Sequence, residues 1–281
     1  EAYSVAGRGG NLVLGAQDVG ARHYRTAVGD AVQNWRLPSG PGIGDGADTA
    51  ADPTNPAILY GANQYQRLNR STDGGATTVA ICQNLLDSQC SGVTHTVNAA
   101  FIAPFILDPN TPTTMLAGGG SLWRSTDVST AAMPAWTQIH TGVASVVVAI
   151  AVAKTDSNII WIAYQNGAVY KTANGLAATP TWTQVATVPA GSKQRIYIDR
   201  TNAQRVYLGL TGFTGNKLYA TSDGGGSWGA VTGLPSATVF AIEAHPANPS
   251  WLYVGTAVGL FASQDGGATW GASNEGPANV Q

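Results

Sequence analysis

Thr221-Ser-Asp-Gly-Gly-Gly-Ser-Trp228 decides how this chain reads, because the chain contains it several times over. Arg70-Ser-Thr-Asp-Gly-Gly75, Arg124-Ser-Thr-Asp-Val128 and Ser263-Gln-Asp-Gly-Gly-Ala-Thr-Trp270 are further copies, and Lys171-Thr-Ala-Asn-Gly175 is a degenerate one. The acidic position falls at Asp73, Asp127, Asn174, Asp223 and Asp265, in steps of 54, 47, 49 and 42 residues. A tryptophan follows most copies, at Trp136, Trp182, Trp228 and Trp270. Periods of this length are the mark of a repeat architecture, in which each unit buries its apolar face against the next.

A second landmark keeps the same rhythm. Asp52-Pro-Thr-Asn-Pro56, Asp108-Pro-Asn-Thr-Pro112, Asp199-Arg-Thr-Asn202 and His245-Pro-Ala-Asn-Pro249 each precede a short apolar run, and Thr155-Asp-Ser-Asn158 is the weaker copy. Each unit then reads as four short strands. The first is the most apolar, as in Ala100 to Leu107 and Val146 to Val152, and such runs suit strands buried on both faces. Four antiparallel strands per repeat of 40 to 50 residues predict an all-β chain forming a single β-propeller. The count gives six blades, with repeats near 1–42, 43–96, 97–143, 144–191, 192–236 and 237–281. A seventh is expected only if the chain is a fragment. The opening unit takes its strands from Ala2–Ala6, Asn11–Gln17, Ala21–Thr26 and Asn34–Leu37, with Trp35 in the late position.

Composition narrows the function. Fourteen Lys and Arg stand against 16 Asp and Glu, a net charge of -2, so the clustered positive charge of a nucleic-acid binder is missing. Only 11% of residues are charged and 44% are hydrophobic, which excludes a disordered chain. Short protected blade edges explain how so weakly charged a β-protein stays in solution. The longest apolar stretch, Ala144 to Ala153 broken by Ser145, is half of the roughly 20 residues of a spanning helix, so no membrane span is expected. The chain starts at Glu1 without a leader, which reads as a removed signal or a piece of something larger. Cys82 and Cys90 are the two cysteines, and a short disulfide-closed loop between them fits an exported protein at the cell surface or in the periplasm. Free thiols in a cytosolic protein are the alternative.

Within the repeated unit, Ser71, Asp73, Ser125, Asp127, Asp223 and Asp265 have a structural purpose. Their side chains bond nearby amides and hold the hairpin between third and fourth strands, while Trp228 and Trp270 pack over it. Identical turns on an outer rim cannot converge on one catalytic site. Ser71-Thr-Asp-Gly-Gly75, Thr221 to Trp228 and Ser263 to Trp270 resemble the Asp-box, or BNR, repeat. That repeat occurs in sialidases, xyloglucan-active glycoside hydrolases, sortilin-type receptors and exported bacterial propellers. Phe105-Ile-Leu-Asp-Pro109 and Leu122-Trp-Arg-Ser-Thr-Asp127 resemble the exported bacterial group most closely. The resemblance implies the fold and says little about function, because the motif is scaffold.

A sialidase is not expected. Its Tyr–Glu nucleophile pair has little to match in a chain whose only internal glutamates are Glu243 and Glu275. The xyloglucan-active enzymes use an aspartate acid and an aspartate base. Gln17-Asp-Val-Gly-Ala-Arg-His-Tyr-Arg25 is similar to their Asp-Val-Gly-Gly-Ala-Tyr-Arg segment, and Gly42-Ile-Gly-Asp45 to their Ile-Gly-Asp-Leu segment. The resemblance implies Asp18 and Asp45 as the catalytic pair, although those enzymes place the two on separate propellers. An inverting mechanism requires the carboxyls about 6.5–9.5 Å apart.

His23, His95, His140 and His245 are scattered, and Asp45, Asp48 and Asp52 do not keep EF-hand spacing. No metal and no cofactor are expected. Tyr60, Tyr65, Trp123, Trp161, Tyr164 and Tyr170 lie on or beside the middle strands. Of these, Tyr65, Trp123, Trp161 and Tyr164 are the candidates for stacking on a sugar ring or meeting a protein, with packing between blades as the alternative. The leading expectation is a non-catalytic binding or assembly module for a polysaccharide, a protein or its own neighbours. A glycoside hydrolase using Asp18 and Asp45 is the alternative.

Overall fold

The structure, a computed structural model, describes residues 2–16, 18, 20–25, 39–40, 45–88, 98–190 and 195–272. Alternating apolar residues and Gly-rich turns leave this sequence no helical period, and the described residues hold strands only. The first sheet contains β1 (Ala2–Arg8), β2 (Asn11–Ala16) and β3 (Gly20–Arg25). The second contains β4 (Gly46–Ala51), β5 (Leu59–Asn63), β6 (Arg67–Ser71) and β7 (Val79–Ala80). The third contains β8 (Phe105–Leu107), β9 (Met115–Gly118), β10 (Leu122–Ser125) and β11 (Thr137–His140).

The fourth sheet holds β12 (Val147–Ala153), β13 (Asp156–Tyr164), β14 (Ala168–Thr172) and β15 (Thr183–Thr187). The fifth holds β16 (Arg195–Ile198), β17 (Val206–Gly209), β18 (Leu218–Thr221) and β19 (Gly229–Ala230). The sixth holds β20 (Val239–His245), β21 (Asn248–Thr256), β22 (Gly259–Ser263) and β23 (Gly271–Ala272). Within each sheet, strands pair antiparallel in chain order. These are the six blades that the repeat count predicts. The fourth strand expected at Asn34–Leu37, and Trp35 with it, lie outside the described residues.

The burial differs from the sequence expectation in one respect. In the second, third and fifth sheets the second strand is fully enclosed, with all five residues of β5 and all four of β9 and β17 buried, whereas in the fourth sheet the first strand, β12, is buried at six of its seven positions, as the run Val146 to Val152 suggests. Strand β20 alternates between buried and exposed, and β4 is mostly half-buried. A second strand has hydrogen-bonded neighbours on both sides, whereas a first strand has one. Apolarity of a first strand therefore tracks its burial in β12 but not in β20.

The repeated motif is a hydrogen-bonded clamp. The Ser71 hydroxyl donates to Asp73 Oδ1 at 2.8 Å and accepts the Gly75 amide at 2.8 Å. The Asp73 carboxylate in turn accepts the amides of Ala76 and Thr77 and the Thr77 hydroxyl. Thr221 with Asp223, and Ser263 with Asp265, repeat this arrangement, and Ser125 bonds Asp127 in the same way. Burial pushes the Asp73 carboxyl up. The Thr77 amide and hydroxyl, Ser71 and the Ala76 amide outweigh it and hold it down at about 2.

Ser71 is 1% exposed. Ser71→Ala leaves the buried Gly75 amide unpaired and is expected to cost about 1–3 kcal/mol, read as a shift of the urea midpoint. An unchanged midpoint would show the clamp to be ornamental.

The motif tryptophans do more than cover their own turns. Trp136 Nε1 donates to the Ile81 carbonyl at 3.0 Å, and Trp228 Nε1 to the Val185 carbonyl at 3.3 Å, so each ties its sheet to the preceding one. Trp270 Nε1 donates to Gly267 of its own turn. An indole needs both an apolar bed and one acceptor, and the neighbouring sheet supplies both.

The chain packs as two compact units, Glu1–Val147 and Val148–Gln281. In the first, Tyr60, Leu68, Phe105, Met115 and Trp123 form the core, with Trp136 against it. In the second, Trp161, Val169, Val206 and Leu208 form one cluster, and Tyr207, Leu218, Leu252 and Val254 another. Cys82 lies in a disulfide, and Cys90, the only other cysteine, lies outside the described residues. No helix among the described residues is long and apolar enough to cross a membrane.

Candidate functional site

Two hairpin tips and one strand entry of the first unit meet at Asp45. The Asp18 amide donates to Asp45 Oδ1 at 2.8 Å. The Gln64 amide and Asn63 Nδ2 both donate to the Asp45 carbonyl, at 3.2 and 3.3 Å. Asp45 is thus the knot between the turn after β2 and the turn after β5. The Tyr65 amide donates to the Phe101 carbonyl at 3.1 Å, and the two rings meet edge to face with centroids 5.5 Å apart. Asp18 is exposed, Tyr65 is half-buried and Phe101 is 40% exposed.

The backbone here is unusual. Among the described residues three non-glycine residues have positive φ, and all three are in this cluster: Asp18 at 62°, Tyr65 at 58° and Gln66 at 60°. L side chains resist that conformation, by roughly 1–2 kcal/mol per residue. Gln66 is fully buried, yet neither side-chain amide atom has a partner. The corresponding turns of the third, fourth and fifth sheets hold Gly119 and Gly120, Gly167, and Gly212 and Gly215. The signal for this site was therefore present in the sequence as Asn63-Gln64-Tyr65-Gln66, a tight hairpin turn without a glycine. Gln64, Gln66 and Phe101 were missed because no aromatic or acidic pattern singles them out.

The structure brings the implied catalytic residues Asp18 and Asp45 together. It separates the four aromatic candidates. Trp161 and Tyr164 have no exposed surface and Trp123 is 5% exposed, so none offers a ring face to a ligand. Trp123 Nε1 is held by Asp87 Oδ2 at 2.7 Å, and Trp161 packs edge to face with Trp228. These three are corrected to core residues: Trp123 belongs to the cluster of the first unit, Trp161 to one of the second, and Tyr164 packs edge to face on Tyr170. Tyr65 alone of the four reaches the surface.

Several other carboxylates are committed to turns. Asp52, Asp108 and Asp199 each accept the amide two residues on. His23 is buried against the Gly74–Gly75 turn, and burial pushes its pKa down to about 4. Among the described residues no group of three His, Cys, Asp or Glu could hold a metal ion.

The fold that these sheets define is a β-propeller of six blades, and solved structures agree. A GH74 enzyme of Niastella koreensis superposes over 96% of this chain with a TM-score of 0.65 at 18% identity. The GH74 xyloglucanase of Xanthomonas campestris does so over 98%, with a TM-score of 0.66 at 16% identity. The chain spans 45% of the length of each. YCF48 bound to a D1 peptide matches over 98% of this chain and 82% of its own, with a TM-score of 0.63 at 12% identity. No protein-family model matches the chain, and no curated protein does. At these identities the likeness is one of fold.

Proposed function

We propose that this chain is a non-catalytic binding module that works outside the cytoplasm and holds a protein segment or a polysaccharide at the Asp18, Asp45 and Tyr65 tips. One observation carries the reading. Every positive-φ non-glycine residue among those described lies in this cluster, and at the exposed Asp18 a glycine would remove the strain. Strain kept at a surface turn, beside an aromatic pair and an exposed carboxylate, is what a contact surface retains. The disulfide at Cys82 supports an oxidising setting.

The test is Asp18→Gly. It relieves the backbone and should raise stability by up to about 1 kcal/mol. The same change should weaken binding at least tenfold on whichever glycan array or peptide library identifies a partner. Stability gained with binding intact would remove the tips from the function.

A second reading is favoured by the contact between Asp18 and Asp45, since an acid/base pair must share one place. It makes the chain a glycoside hydrolase, and wild type, Asp18→Gly and Asp45→Asn assayed on xyloglucan decide it. The binding module predicts no release of reducing ends from any of the three.

A further inference from the structure

At one end of the second unit, three exposed apolar side chains gather around Thr238. The turn between β17 and β18 runs from Leu210 to Lys217, and Phe213 stands in it 65% exposed. Val258 is in the turn between β21 and β22, and Phe240 is near the start of β20, each 49% exposed. Hydrogen bonds hold these segments together. Thr238 Oγ1 accepts the Gly212 amide at 2.9 Å, and its carbonyl accepts the Ala257 amide at 2.9 Å. The Leu210 carbonyl accepts the Val239 amide at 3.0 Å.

Turn formation asks for none of these side chains. Gly212 and Gly215 supply the positive φ of the first turn, 103° and 68°, and the corresponding turn of the fourth sheet is the polar Gln165-Asn166-Gly167. A β-branched residue such as Val258 has no turn-forming preference. The charge that these segments carry is of one sign. Lys217 closes the first turn opposite Leu210, and a methyl group on Gly212 would lie 3.3 Å from its Nζ. Among the described residues Lys217 forms no ion pair. Arg195 donates its Nε to the Phe240 carbonyl at 2.8 Å. Residues 206–221, 229–242 and 254–263 contain no Asp or Glu, and the next acid along β20, Glu243, is bonded to Arg200.

We propose that this end of the second unit rests on an anionic lipid surface. Phe213, Val258 and Phe240 enter the boundary between headgroups and acyl chains, while Lys217 and Arg195 meet the lipid phosphates. The order of the groups favours a lipid surface over an acidic peptide. A peptide site encloses its apolar residues and rims them with polar ones. Here the apolar side chains are the exposed ones, two of them at turn tips, and the cations are half-buried, Lys217 at the base of its turn and Arg195 on β16. Apolar tips with cations one level behind match the order of acyl chain and phosphate. A single apolar side chain on a surface needs no explanation, but three around one residue do. The inference does not depend on the hairpin tips of the first unit.

The test is flotation of the whole chain with vesicles of phosphatidylcholine containing about one-third phosphatidylglycerol, beside vesicles of phosphatidylcholine alone. Half-saturation is expected at about a millimolar lipid on the anionic vesicles, with roughly fivefold weaker binding to the neutral ones or in high salt. Phe213→Ser with Val258→Ser should weaken flotation roughly tenfold and leave the urea midpoint in place, since both side chains are exposed. Lys217→Gln should weaken it about fivefold, on anionic vesicles alone. The proposal is overturned by no flotation of the wild type, by equal flotation of the serine variant, or by equal binding to neutral and anionic vesicles. It is also overturned, in favour of a protein partner, if a capped Glu-Phe-Glu peptide shifts the NMR signals of Phe213 and Lys217 and the vesicles do not.

Discussion

Trp161→Ala is expected to lower stability by about 3–5 kcal/mol, the cost of emptying a buried indole-sized space that its surroundings cannot close. Trp161 has no exposed surface, and its ring carries the Trp228 edge contact and the Lys171 ammonium together. Its Nε1 has no hydrogen-bond partner, so the loss is one of packing and of the cation's seat rather than of a bond. A loss of that size is a large part of the 5–15 kcal/mol that holds a domain folded. Urea unfolding of Trp161→Ala and Trp161→Phe, the second expected to cost markedly less, checks it. The opposite pattern, full stability with a weakened ligand affinity, would return Trp161 to the list of ligand contacts.

Acid is the second large lever. His23 has 2% of its surface exposed, and burial pushes its pKa down to about 4, against opposition from Asp73 and the Gly75 backbone. An unfolded histidine titrates near 6.5, so the unfolded chain takes up the proton first. The neutral imidazole's contribution to stability is therefore complete above about pH 6.5 and is lost as pH falls from there through 4. The loss amounts to about 3 kcal/mol. His140, also pushed down by burial, adds to it in the same direction.

The motif carboxylates act in a separate and lower window. Bonds from Thr269 and Ser263 hold Asp265 down at about 2, and Asp73 sits at the same level. Their contribution is present above about pH 3.8 and disappears only as pH falls toward 2. Stability measured at pH 7, 5.5, 4 and 3 should fall in two steps. His23→Gln should flatten most of the first and leave the second untouched. A first step that survives in His23→Gln would place the acid sensitivity elsewhere.

How much of this was legible beforehand follows from what each feature depends on. The sheets were legible because Ser71, Asp73 and Gly75 form a clamp entirely from residues within five positions of each other. Such a device folds the same way wherever its spacing recurs, so Asp223 and Asp265 could be read as scaffold from the letters alone. The aromatic residues could not be sorted in this way. Tyr65 and Tyr164 both stand near the ends of second strands, and only the folded structure encloses Tyr164 while a turn leaves Tyr65 half-buried.

The candidate site shows the same division. A glycine-free turn at 64–66 was visible, but its strain was not, since φ is a property of the folded backbone. Nor could the spacing of Asp18 and Asp45, 27 residues apart, announce that one amide would rest on the other's carboxylate. That contact depends on how the second sheet follows the first.

The sequence by itself determined a repeated four-stranded unit, its count and its turn chemistry, because these rest on local bonds and on a period. Only the tertiary structure decided which side chains face water and which aromatic rings are enclosed. Those are outcomes of packing between residues far apart in the chain, and close packing is settled by shape in three dimensions rather than by order along the chain.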